Sequence, residues 1–220
     1  MAHKQIIVVG LGRFGLSIAK TLYQLGHDVL AIDTQEARVQ EALEHSTYAV
    51  RADATSESVV RELGAPSFDI AIVAIGSDVE SNIMSTVLLK SVGVPYVISR
   101  ARTHLHGQTL ERVGANQVIY PEQELGIKVA RSLFHPDVLD YMELAPNVGI
   151  SKIKVPEHLR DMTLKEAGMA TARDKYGLAV VAVKRGKDLI LLPAEEEKLE
   201  ADDLLFIASR DDLLAKLHLE

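Results

Sequence analysis

The stretch Gly10-Leu11-Gly12-Arg13-Phe14-Gly15 limits what this chain can become more than any other. Three glycines at that spacing, between an apolar run and an amphipathic segment, specify a strand, a tight turn and a helix that together cradle a nucleotide phosphate. Residues 5–9 have the length and branched side chains of a buried parallel strand. Residues 16–25 carry Leu16, Ile18, Ala19, Leu22 and Leu25, the pattern of a helix packed on a sheet. Gly10 serves the turn, Gly12 lets backbone amides approach a pyrophosphate, and Gly15 allows helix and strand to touch. The helix start then offers unpaired amides and a partial positive charge to an anion.

A bare glycine pattern is weak, so its surroundings decide. A second apolar run, residues 28–33, closes on Asp33, 18 positions after Gly15, where an acidic side chain is expected to hold an adenosine ribose. Strand-like runs follow at 48–52, 68–75, 96–99 and 117–120, separated by helical patterns at 35–43, 56–63, 79–92 and 104–113, with a last helix at 122–134. The fold class is therefore α/β, a Rossmann-like doubly wound parallel sheet, with ligands expected at the carboxyl ends of its strands. Residues 70–75 are wholly apolar, as befits a central strand.

The pattern changes after His135-Pro136. Strands dominate at 141–144, 150–155, 178–185, 188–192 and 204–208, with helices expected at 164–171 and 210–217. The boundary is expected between residues 135 and 140, giving a nucleotide-binding domain over 1–135 and a small α+β domain over 140–220.

Composition excludes several classes. A formal net charge of −7 argues against a nucleic-acid binder, which needs basic surface to displace counterions. Without cysteine there is no disulfide framework, thiolate metal site or thiol nucleophile. The N-terminus lacks a secretory signal, and no apolar run approaches the ~18 residues of a membrane span, so a cytoplasmic protein is expected.

Several side chains at strand ends are candidates for chemistry. Arg13 stands inside the turn, where a cation opposes the helix dipole; it either meets a terminal phosphate or is an exposed residue at a helix start. Asp53, ahead of Ala54 and Thr55, accepts from an adenine amino group, or else Asp53 or Thr55 caps the helix beginning at Ser56. Glu122 either reaches a phosphate pocket through a divalent cation or caps the helix it begins. Arg100 and Arg102 flank the end of the fifth strand and offer positive charge there, although one of two alternating arginines normally faces away. No catalytic constellation and no large substrate domain accompany these residues.

The chain resembles the RCK (KTN) regulatory subunits of bacterial potassium uptake systems, of the KtrA or single-unit TrkA type. The resemblance rests on Val8-Val9-Gly10-Leu11-Gly12-Arg13-Phe14-Gly15, Val29-Leu30-Ala31-Ile32-Asp33, Ala52-Asp53-Ala54-Thr55, Ala74-Ile75-Gly76 and Val118-Ile119-Tyr120-Pro121-Glu122. Tyr176-Gly177 and residues 202–207 extend it into the second domain, although Asp202 and Ser209 stand where the family usually has glycine.

The resemblance implies a cytosolic nucleotide-sensing gating subunit, not an enzyme, peripheral to the inner face of the cell membrane. Such subunits form dimers that assemble into an octameric ring controlling a membrane potassium-translocating subunit of the KtrB/TrkH kind. It implies ATP or ADP as ligand, alternatively NAD or NADH, with Mg2+ or Ca2+ at Glu122. The nucleotide-contacting residues it implies are Gly10, Leu11, Gly12, Arg13, Phe14, Gly15, Asp33, Asp53, Ala54, Thr55, Ile75, Gly76 and Arg100. In some members cyclic di-AMP binds between paired C-terminal domains, for which Arg173 and Tyr176 are the candidates here. The competing reading is an NAD(P)-dependent oxidoreductase, since a Rossmann sheet does not fix function.

Overall fold

A computed structural model describes residues 3–134, 138–170 and 178–214 of the chain. It divides into two compact units, Met1–Gln123 and Glu124–Glu220.

The first unit alternates strand and helix: β1 (Gln5–Val9), α1 (Arg13–Gln24), β2 (Asp28–Asp33), α2 (Glu36–Ala42), β3 (Tyr48–Arg51), α3 (Glu57–Glu62), β4 (Ile70–Val73), α4 (Val79–Ser91), β5 (Tyr96–Arg100), α5 (His104–Arg112) and β6 (Gln117–Ile119). A further helix, α6 (Pro121–Phe134), begins in this unit, with its proline at the first helical position. The six strands form one parallel sheet in the order β3-β2-β1-β4-β5-β6. This is the doubly wound arrangement expected from the sequence. Strand order reverses between β1 and β4, and a crevice opens outside the carboxyl ends of strands at such a point.

The sheet is buried on both faces because its central strands are apolar from Ile6 to Val9 and from Ile70 to Val73. On β1, Ile7 and Val9 join one apolar layer with Leu30, Ala71 and Leu89, while Ile6 and Val8 face the other with Ala19 and Val39. Each Ile, Leu or Val so buried contributes about 1.5–3 kcal/mol.

The second unit contains β7 (Val138–Ala145), β8 (Val148–Lys154), β9 (Ala179–Arg185), β10 (Asp188–Leu191), β11 (Leu204–Arg210) and the short helix α7 (Asp211–Leu214). Its antiparallel sheet runs β10-β9-β11-β8-β7. Ile153, Leu164, Met169, Leu205 and Ile207 form part of its core. An Arg185–Asp203 pair pins β9 to the turn before β11: Nε and Nη2 donate to the two carboxylate oxygens at 3.0 and 2.7 Å, and Asp203 is 1% exposed. This contact raises the Arg185 pKa, with Asp203 as its main cause.

The helix expected at 164–171 is not formed over the described residues 164–170, of which 164–168 are turn. The backbone amides of Leu164 and Lys165 donate to the carbonyls of Glu197 and Glu195, and Leu199 donates back to Met162. Ala167 makes one i−4 bond, to Thr163, but the next amides, of Gly168 and Met169, return to Lys165 and Leu164, so the turn closes and no helix propagates. Thr171 lies outside the described residues, as do 215–217 of the expected terminal helix.

Candidate functional site

A cleft of about 740 Å³ opens at the switch between β1 and β4. Its walls come from the β1–α1 turn, the end of β2, the β3–α3 loop, the β4–α4 loop and Arg100 at the end of β5.

The turn has the shape that its glycines require. Gly10 adopts φ +88°, a left-handed conformation that disfavours any side chain. A Cβ on Gly15 would collide with the Gly10 carbonyl oxygen, so this glycine is what lets α1 close on the turn. At Gly12 a Cβ would meet no protein atom; what it would occupy is space along the cleft wall. Gly12 is also the N-cap of α1, makes no side-chain cap bond, and precedes a first turn without acidic residues. The helix start is thus left open to an anion.

Asp33, 6% exposed, ties this turn to β2. Its Oδ2 accepts from the Leu11 amide at 2.7 Å and from Arg38 Nη1 at 3.3 Å, and its Oδ1 accepts from the Gln35 amide at 2.8 Å. Asp53 folds back on its own loop, accepting from the Thr55 amide at 2.9 Å and the Thr55 hydroxyl at 2.7 Å. No side chain caps α3 at Ser56, so neither Asp53 nor Thr55 has the capping role weighed for it above. Ala54 is buried beside them, and Asp53 remains exposed at the rim. Arg13 is exposed and lines the cleft.

On the opposite wall, Ile75 and Gly76 follow β4. A Cβ at Gly76 would strike the Arg100 guanidinium, which also lies 5.7 Å from the centre of the Phe14 ring. Arg100 pairs with Glu122, which occupies the first turn of α6 with its side chain 64% exposed. Burial, and secondarily the charge of Arg102, lowers the Arg100 pKa from its ordinary value. Among the described residues no group of three or more His, Cys, Asp or Glu could hold a metal ion. A cation at Glu122 therefore needs other ligands, such as phosphate oxygens. Arg173 and Tyr176 lie outside the described residues.

Four contributors to the cleft region escaped the sequence reading. Arg38 pairs with Asp33 from the first turn of α2, and neither motif nor spacing marks it. Asp78 caps α4, accepting from the Ser81 amide at 3.1 Å and hydroxyl at 2.6 Å; its place three residues ahead of Ser81 is a readable cap signal. Asn82 and Ser85, buried on α4, form with Thr86 a polar stripe at helical spacing against the sheet. The Asn82 amide donates to the carbonyls of Ile75 and Arg100 at 2.7 and 3.1 Å, joining the ends of β4 and β5.

Fold and cleft define a Rossmann-type unit with an open cleft at its switch point, followed by a small antiparallel-sheet unit. Residues 6–121 match the TrkA-N domain and residues 150–218 the TrkA-C domain, and the chain belongs to this family. Among curated relatives, Ktr system potassium uptake protein A of Bacillus subtilis (strain 168) is 37% identical over 205 residues, covering 93% of this chain and 91% of that protein. Of solved structures, the GsuK RCK domain superposes with a TM-score of 0.66 over 99% of this chain at 20% identity. The chain spans 47% of that protein's length, and the likeness is one of fold. The NAD(P)-binding domain of an exopolyphosphatase-related protein from Archaeoglobus fulgidus is 27% identical, with a TM-score of 0.53, covering 60% of this chain and 98% of that one.

Proposed function

We propose that the chain is the cytosolic, nucleotide-sensing regulatory subunit of a potassium uptake system, and that it performs no chemistry on its ligand. The observation that carries the reading is the uncapped start of α1, opening through Gly12 into a cleft whose wall holds Asp33. That arrangement binds a phosphate chain and a ribose. The relationship to Ktr uptake proteins supports the potassium role, and the likeness to a named NAD(P)-binding domain supports the ligand class.

In this reading the backbone of residues 10–15 holds the phosphates, Asp33 the ribose, and Asp53, Ala54 and Thr55 the adenine side. Arg13, exposed at the mouth, meets the terminal phosphate in its own subunit or across a subunit boundary. Ile75, Gly76 and Arg100 close the far wall. A divalent cation, Mg2+ or Ca2+, binds at Glu122 together with phosphate oxygens. The nucleotide domain covers 1–135 and the C-terminal domain 140–220; copies pair and assemble into an octameric ring attached to a membrane potassium-translocating subunit. On resemblance alone, Arg173 and Tyr176 are assigned to cyclic di-AMP. Nucleotides that bind one ring arrangement more tightly shift the ring toward it, and the coupling moves the channel.

Calorimetric titration with ATP, ADP, NAD and NADH tests the assignment. ATP is expected to bind more tightly than NADH, and Arg13→Ala to lose most of the preference for ATP over ADP. Equal or tighter NADH binding, or unchanged discrimination in the variant, contradicts it. Hydride transfer to any substrate would restore the oxidoreductase reading.

A further inference from the structure

Arg100 is held firmly at its backbone and loosely at its head. Its carbonyl accepts from the buried Asn82 amide at 3.1 Å, and the same amide holds the Ile75 carbonyl at 2.7 Å. Both partners are acceptors, so the NH2 group must face them and the strand ends are locked together. The guanidinium, by contrast, rests on the bare backbone of Gly76 and against the Phe14 ring. Its Nε is buried without a hydrogen-bond partner, so this resting place leaves a donor unsatisfied. Its charge is met by Glu122, whose side chain is 64% exposed and is readily rehydrated when released. Arg100 itself lines the cleft.

We infer that Glu122 is a built-in competitor for the nucleotide's phosphates: its carboxylate occupies the Arg100 guanidinium in the ligand-free protein, and binding proceeds by exchange of that carboxylate for phosphate oxygen. The inference rests on the nucleotide reading above and adds to it a regulatory contact within one subunit. Carboxylate and phosphate offer a guanidinium equivalent paired acceptors, so one can replace the other on a swing about a fixed backbone. The exchange also frees Glu122 for a cation only once phosphate is present, which orders the two ligands.

The test is ATP affinity in buffer free of divalent cations, measured by calorimetry on the full chain and on Glu122→Gln, Arg100→Gln and the double variant, with folding checked by circular dichroism. Glu122→Gln is expected to tighten ATP binding about two- to fivefold, the range of a half-exposed ion pair. Arg100→Gln is expected to weaken it about tenfold. The double variant should match Arg100→Gln alone, because Glu122 acts only through Arg100. Unchanged or weaker binding in Glu122→Gln overturns the exchange, as does a gain that persists in the Arg100→Gln background, which would show general charge repulsion. Those outcomes leave the nucleotide site standing. Absence of ATP binding by the folded, unsubstituted chain rejects both.

Discussion

Both oxygens of Asp33 are engaged by the protein itself, through the Leu11 and Gln35 amides and Arg38. The carboxylate thus shapes the turn as well as facing the cleft. Its position was legible because the distance from the glycines is set by one strand-helix-strand unit. Arg38 was not, because a cation on an exposed helix face looks the same in sequence whether or not it meets a carboxylate. Glu122 behaves similarly: its place at a sheet end could be read, but its partner Arg100 lies 22 positions away and only folding brings them together.

His106 carries a prediction at this scale. It is 6% exposed, its Nδ1 accepts from the Arg102 amide at 3.3 Å and its Nε2 has no partner. Burial, with the Arg102 charge as a lesser cause, lowers its pKa from 6.5. The unfolded imidazole therefore takes up its proton first as pH falls. Stability present above about pH 6.5 is lost below it, by at most about 1.4 kcal/mol per pH unit. Urea denaturation between pH 8 and 5 should show this loss, and His106→Gln should flatten the slope. An equal slope in the variant assigns the pH dependence elsewhere.

At the scale of elements, the parallel sheet was readable because each strand carries a run of apolar residues and the strands are separated by helical patterns. The second unit was readable as strands, yet its expected helix at 164–171 failed. Its apolar spacing is satisfied equally well by a turn held by the carbonyls of Glu195 and Glu197, and sequence periodicity does not see those partners. The α4 stripe of Asn82, Ser85 and Thr86 shows the converse, a helical period carried by polar residues that join strand ends.

The β1–α1 turn is the element whose geometry matters most. Gly15→Ala places a methyl group on the Gly10 carbonyl and forces α1 away from β1. A destabilisation of about 1–3 kcal/mol in urea melts is expected from such overpacking, together with loss of nucleotide binding. Retained affinity would show that the turn does not shape the site.

At the scale of the whole molecule, the two units and the family relationship place a ligand cleft and a separate antiparallel-sheet unit on one chain. Among the described residues no helix is long and apolar enough to cross a membrane. In the proposed reading the potassium path belongs to a separate membrane subunit. Ring assembly and the identity of that subunit involve surfaces between chains, which the hydrophobic pattern of one chain does not encode. The most direct measurement is potassium flux into proteoliposomes containing the membrane subunit, with the purified chain added under ATP, ADP or no nucleotide. Flux is expected to differ between ATP and ADP with this chain and to lose that difference with Asp33→Ala. Flux that ignores nucleotide, or that responds equally with Asp33→Ala, would contradict a nucleotide-sensing role.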